Sequence, residues 1–314
     1  MSFFVDTRPF GACPADAFTK ATMAATRRLP ANYFGLRVSM PLRRLAIDRL
    51  GDRAVDTTVW GASARLYPFR NSCEKVALFT PQLYDPLERA ALAVAIDRRL
   101  AAGGTFTFID VGANVGLYSL FVAARAGGHG RIVAVEPQPG IADRLEFNLK
   151  ANPGCRSQAL RVAVSDTAGE IDMAIHLDDA GGTAIHHGAS LAAGEALVRV
   201  PCRTLADIVA AAQLSAIDAI KLDIEGHEDR ALGPYLRSAP RTLLPRLILI
   251  EQRDWAGDLA ALLDAAGYTV TAQSRHNAVY ALAAPLDRGT TDPGWLPPSR
   301  RNSSPASTPG AVPR

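Results

Sequence analysis

The chain has 314 residues, 48% of them hydrophobic and 21% charged, with a formal net charge of +3. This is an ordinary globular composition, long enough for one large domain or two smaller ones. So slight a positive excess, much of it expected in flexible Arg-containing ends, does not argue for nucleic acid or a membrane surface as partner. Cys13, Cys73, Cys155 and Cys202 are far apart and form no CxxC pair. They argue against a zinc knuckle or a disulfide framework and predict reduced thiols in a cytoplasmic protein. The opening MSFFVDTRPFGACPADAF lacks the basic head and apolar core of a secretory signal. No run approaches the ~18 apolar residues that a membrane helix needs.

Residues 1–75 mix Pro, Arg and short apolar pieces and read as an N-terminal extension. Within it, the alternation in VDTTVWGASARLYPF (Val55 to Phe69) predicts strands. Strands and helices then alternate through a domain spanning 76–285. TFTFIDV and RIVAVEP are short β-rich runs, with Leu117, Leu120, Phe121 and Ala124 recurring at helical spacing between them. PGIADRLEFNLKAN reads as a helix and ALRVAVSD as a third strand. EIDMAIHL and ALVRVPCR predict strands around an irregular Gly/His segment. TLADIVAAAQL is a helix capped by Thr204. IDAIKLDI and PRLILIEQ are a fourth and fifth strand, and DLAALLDAAGY a helix ended by Gly267. YTVTAQ and AVYALA follow at hairpin spacing. Residues 286–314, rich in Pro, Ser and Gly with little to bury, read as a disordered tail.

Repeated β-α-β units imply an α/β fold, a doubly wound and mostly parallel sheet with helices on both faces. The last two strands lack a helix between them, so the seven-stranded sheet should end in an antiparallel hairpin.

In such sheets ligands sit beyond the carboxyl ends of the strands, where strand order reverses. FIDVGANVGLYSL (Phe108 to Leu120) marks such an end, with Gly112 and Gly116 opening the following helix. A dinucleotide would set its pyrophosphate on the helix N-terminus. Asp110 would face that anion, and Asn114 stands where the G-x-G-x-x-G fingerprint wants glycine. S-adenosylmethionine (SAM) carries no phosphate, and its sulfonium and ammonium would attract Asp110. Glu136, ending the second strand, suits a ribose diol of either ligand. Ala163 to Asp166 ends the third strand, where an adenine would lie. IKLDIEGHEDRAL crowds Asp223, Glu225 and Glu228 around Gly226 and His227, with Glu225 and Glu228 spaced to share a face of the next helix turn.

Taken in order, FIDVGANVGLYSL, IVAVEPQPGIADRLEFNLKAN, VAVSD, RTLADI and IKLDIEGHE closely resemble the FkbM family of SAM-dependent methyltransferases. NSCEKVALFTPQLYDPLERAAL resembles that family's lead-in. The resemblance covers about Asn71 to Glu251 by motif, and the domain to about Ala284. It implies a class I methyltransferase fold, SAM as donor, and O-methylation of a hydroxyl on a sugar or natural-product scaffold. Carried over by position, Asp110, Gly112, Asn114 and Gly116 would line the methionine end. Glu136 would hold the ribose, Asp166 would lie near the adenine, and Asp223 and Glu225 would border the methyl-transfer site.

A sugar hydroxyl is hardly ionised at neutral pH, so its methylation wants a general base. The candidates are His227, with the most suitable resting pKa, then Asp223, Glu225, and His186 and His187 in the loop-like GGTAIHHG. A small-molecule or glycan acceptor is expected, with no nucleic acid and no resident metal. The alternatives are a non-catalytic SAM- or nucleotide-binding module and, further off, an NAD-dependent oxidoreductase.

Overall fold

A computed structural model describes residues 5–69, 71–176, 183–185, 191, 195–252 and 258–283. Helices α1 (Ala17–Thr26) and α2 (Tyr33–Leu50) come first, N-capped by Asp16 and Asn32 through their side chains. Strands β1 (Val55–Val59) and β2 (Ala62–Leu66) then form an antiparallel hairpin. Its turn residues, Trp60 and Gly61, both take positive φ, as a two-residue hairpin turn of matching twist requires. Helices α3 (Ser72–Phe79) and α4 (Pro86–Ala101) lead into the alternating region.

That region begins with β3 (Phe106–Val111), α5 (Leu117–Ala126), β4 (Gly130–Val135), α6 (Pro139–Lys150) and β5 (Arg156–Leu160). Next come β6 (Ala163–Val164), β7 (Gly169–His176), β8 (Thr183–Ile185) and β9 (Glu195–Arg203). The chain closes with α7 (Leu205–Ala211), β10 (Ala219–Leu222), α8 (Glu228–Ser238), β11 (Leu247–Glu251), α9 (Leu259–Ala265), β12 (Tyr268–Gln273) and β13 (Asn277–Leu282). Thr204 and Asp207 form a reciprocal capping box at the start of α7.

Seven strands form one sheet in the order β12-β13-β11-β10-β3-β4-β5. β13 runs antiparallel to both β11 and β12, which gives the expected terminal hairpin, while the pairs from β11 to β5 are parallel. From β3 the chain winds outward to β5, then returns to β10 on the other side of β3. The reversal point therefore lies between β3 and β10, and it places their carboxyl ends side by side.

The run ALRVAVSD divides where one continuous strand was expected. β5 ends at Leu160, and Ala163–Val164 instead pairs with β9 in a second sheet of order β6-β9-β7-β8. Arg161 sits at the break, held by Asp143 at 2.6 Å and Glu146 at 2.8 Å on α6.

Apolar clusters cover both faces of the seven-stranded sheet. A third joins β1, β2, α2 and α3 to Val115, Leu117, Leu120 and Ile141, so the N-terminal extension shares a core with the domain it precedes. Two buried arginines fasten that junction. Arg65 pairs with Asp56 at 2.6 Å, donates to the carbonyls of Asp6, Arg8 and Pro9, and stacks on Phe147. Arg144 pairs with Glu74 at 2.9 Å and lies over the Tyr67 ring. The tail expected at 286–314 lies outside the described residues.

Candidate functional site

A cavity opens at the reversal point, lined by the ends of β3, β4 and β10, by the turns that follow them, and by Ile141, Val162, Ala163, Val164 and Met173. α3 and the turn before α4 contribute Cys73 and Tyr84.

Gly112 has φ +72, and the space a Cβ would need there is held by the Asp223 carbonyl oxygen, 1.9 Å from that position. Only glycine permits that turn at that separation. Asn114 follows at φ +51. Its backbone N–H donates to Glu136 Oε2 at 2.9 Å, and its side-chain oxygen accepts from Asn71 at 2.9 Å. Glu136 Oε1 accepts from the Gln138 N–H at 3.0 Å. Burial raises the Glu136 carboxyl to about 7.

Gly112, Asn114 and Glu136 line the cavity; three other sequence candidates do not. Asp110 is buried beneath the turn, where Oδ2 accepts from Ser119 N at 3.1 Å and Ser119 Oγ at 2.7 Å. It thereby ties the end of β3 to α5. Gly116, at φ +90, packs its Cα against Leu145 and opens α5. Asp166 is exposed and accepts from Ser165 Oγ at 3.1 Å, leaving Ala163, Val164 and Met173 as an apolar wall.

Strand β10 supplies the opposite side. Asp223, Ile224 and Glu225 line the cavity, with Glu225 at φ +59. α8 starts at Glu228, so Glu225 stands before the helix and does not share its first turn. Glu228 is fully buried and accepts from the Ile224 N–H at 2.9 Å, closing the loop on itself. His227 takes the N-cap position of α8 and is not among the lining residues. His186 and His187 lie outside the described residues.

The sequence reading missed Lys221. It lines the cavity, is 7% exposed, pairs with Asp223 at 2.9 Å and lies 4.9 Å from the centre of the Tyr118 ring. Its neighbours Asp223, Asp110 and Asp85 outweigh the cost of its burial and hold it charged. The signal available was a lysine inside AIKL, a strand otherwise apolar on both faces; such a cation needs a buried partner. Asp85, at φ +37, accepts from the Tyr118 hydroxyl at 2.9 Å. That left-handed aspartate and the adjacent Tyr84 were equally unmarked in the sequence, where YDP reads as a plain turn.

Among the described residues, no group of three or more His, Cys, Asp or Glu is placed to hold a metal ion. No described helix is long and apolar enough to cross a membrane. The lining set carries three carboxylates, Glu136, Asp223 and Glu225, against one ammonium, that of Lys221. Such a lining repels a pyrophosphate and suits a cationic nucleoside.

The doubly wound sheet with its terminal hairpin, and a strand-end carboxylate beside a glycine turn, define a class I SAM-dependent methyltransferase. A sequence profile of the methyltransferase FkbM domain matches residues 110–270, and the chain belongs to that family. SAM is its methyl donor. No curated protein gives a significant match. Among solved structures, precorrin-6y C5,15-methyltransferase from Geobacter metallireducens is similar at 13% identity and a TM-score of 0.37, covering 62% of this chain and 86% of its own. The METTL16 methyltransferase domain is similar at 13% identity and 0.39, with 64% and 67% covered. Monomeric WbdD is similar at 12% identity and 0.39, with 64% of this chain and 41% of WbdD covered.

Proposed function

We propose that this protein methylates a hydroxyl group of a sugar or natural-product acceptor. The observation carrying this reading is the pair of carboxylates, Asp223 and Glu225, at the cavity wall across from Glu136. An alcohol nucleophile needs an acceptor for its proton as the C–O bond forms, and two carboxylates lining the cavity support that reading.

The bound donor supplies an activated methyl group. Glu136, its two oxygens fixed by the N–H groups of Asn114 and Gln138, would hold the ribose hydroxyls. Ala163, Val164 and Met173 would flank the adenine, and the backbone at Gly112 and Asn114 would border the methionine end. Asp223 or Glu225 accepts the hydroxyl proton. Lys221 fixes the Asp223 carboxylate by a charged hydrogen bond, and being held charged it serves as an orienting group and not as the base. The cavity walls would exclude water and align the acceptor oxygen behind the methyl group, which lowers the barrier by proximity and orientation.

Calorimetric titration with SAM and with NAD, followed by a screen of sugar and polyketide alcohols with labelled SAM, tests this reading. Tight NAD binding without SAM binding overturns it. SAM binding with no transfer to any alcohol favours a non-catalytic module.

A further inference from the structure

Helix α2 is turned the wrong way for a helix of a water-exposed surface. Its inward face carries small residues through the first turns, with Ser39 and Ala46 wholly buried, and places large apolar side chains, Ile47 and Leu50, only at its C-terminal end. Gly35 approaches so closely that a Cβ would stand 2.0 Å from the Pro30 carbonyl oxygen. Most of the large apolar side chains of the helix lie instead on its outward side. Phe34, Val38 and Leu45, one below another at helical spacing, are 64%, 36% and 58% exposed, and Tyr33 is 72% exposed.

The charge lies beside this apolar lane. α2 holds four arginines against one aspartate. Arg43 turns inward to Thr80, leaving Arg37, Arg44 and Arg49 exposed together with Asp48, which approaches Arg44 at 4.0 Å, a local balance of +2. Arg37 and Arg44 fall on a lane next to Phe34, Val38 and Leu45, by the 100° advance per residue of an α-helix. The sequence reading, which spread the positive excess over the chain ends, could not see this concentration. Exposed aromatic and aliphatic side chains flanked by arginines are the composition of a helix lying in the interface of an anionic bilayer.

We propose that α2 docks the protein on an anionic lipid surface, with Phe34 and Leu45 entering the headgroup layer and Arg37 and Arg44 meeting lipid phosphates. Charge selects this occupant over a second copy of the chain. Two such faces brought together would appose their arginine lanes, whereas an anionic surface satisfies apolar and basic lanes at once. α3 packs against α2 and carries Cys73 of the cavity wall, so docking sets the cavity close to the lipid surface.

Co-sedimentation of the full chain with vesicles of phosphatidylcholine alone, and of phosphatidylcholine with one quarter phosphatidylglycerol, tests this. Binding to the anionic vesicles only, weakened by high salt, is expected. Arg37→Glu with Arg44→Glu should weaken it by at least about thirtyfold, since each arginine near such a surface contributes roughly fivefold. Phe34→Ser with Leu45→Ser should abolish it, and both variants should keep the thermal unfolding midpoint and SAM affinity of the parent. No binding to either vesicle, or equal binding to both, overturns the proposal. So does a dimer in light scattering that Phe34→Ser with Leu45→Ser dissolves, because a second copy would then cover the face.

Discussion

The backbone carbonyl of Asp223 occupies the space that a side chain on residue 112 would fill. The glycine turn after β3 and the acidic end of β10 are thus one unit: neither can move without the other. Gly112→Ala adds a methyl group against backbone, at a φ that alanine resists. We expect a loss of about 2–3 kcal/mol of stability and a marked fall in SAM affinity. Chemical denaturation and calorimetry check this; an alanine variant with parental stability would show that the turn has more slack than the distance allows.

Glu136 should make SAM binding depend on pH. Its folded value of about 7 lies above the ordinary 4.5. The ligand-free folded state therefore retains a proton that the unfolded chain has lost, so this contribution to stability is full below pH 4.5 and lost as pH rises through 7. Ribose hydroxyls donate to the ionised form, so SAM affinity should strengthen as pH rises from about 6 to about 8. Glu136→Gln should cost roughly tenfold to a hundredfold in affinity, the worth of a hydrogen bond to a charged group, and flatten the profile. A pH-dependent Kd surviving in that variant would move the effect to another group.

His227 and Asp223 separate the two readings of the catalytic base. The sequence favours His227 by the ordinary histidine pKa; the geometry favours the carboxylates, since His227 sits at the N-cap position of α8 and is not among the lining residues. His227→Ala should keep turnover within about twofold, while Asp223→Asn and Glu225→Gln should keep SAM binding, at least one of them losing turnover by about a hundredfold or more. Steady-state assays on an active acceptor decide, and normal turnover in both carboxylate variants would remove them as bases.

The buried pair of Glu74 and Arg144 gives a test of how the extension is held. Arg144→Met leaves Glu74 without its cation in a fully buried position. The cost should be about 3–5 kcal/mol. Burial already lifts Glu74 to about 7, and without Arg144 its carboxyl rises further. The variant should therefore suffer less at a pH below that value, where Glu74 takes up a proton, than above it. Denaturant midpoints on either side of that pH check the sign.

Much of this architecture was legible because period and punctuation agree. FIDVGAN gives a strand, a carboxylate and a glycine in sequence, and Glu136 falls at the end of the next apolar run. The terminal hairpin was readable from the absence of room for a helix before AVYALA. The split of ALRVAVSD was not, since one arginine in an apolar run reads as an outward-facing strand residue, whereas Arg161 is drawn aside by Asp143 and Glu146. Lys221 escaped because alternation treats a single lysine in a strand as facing water. α2 escaped because amphipathic patterning expects large apolar residues to point inward, and of those in α2 only Ile47 and Leu50 do. Asp110 was readable as a strand-end carboxylate, but not its buried hydrogen bonds from Ser119 to Oδ2, which depend on a residue nine positions later.

The break after β5 hands one wall of the cavity to a different sheet. β6 to β9 form a sheet of their own, yet Val164 and Met173 within it also make the wall beside the proposed adenine position. Because β6 to β9 pair with no strand of the seven-stranded sheet, a substitution in β7 or β9 can reshape this wall without shifting the register of that sheet. The apolar wall of the cavity and the sheet that carries its carboxylates are thus separately built.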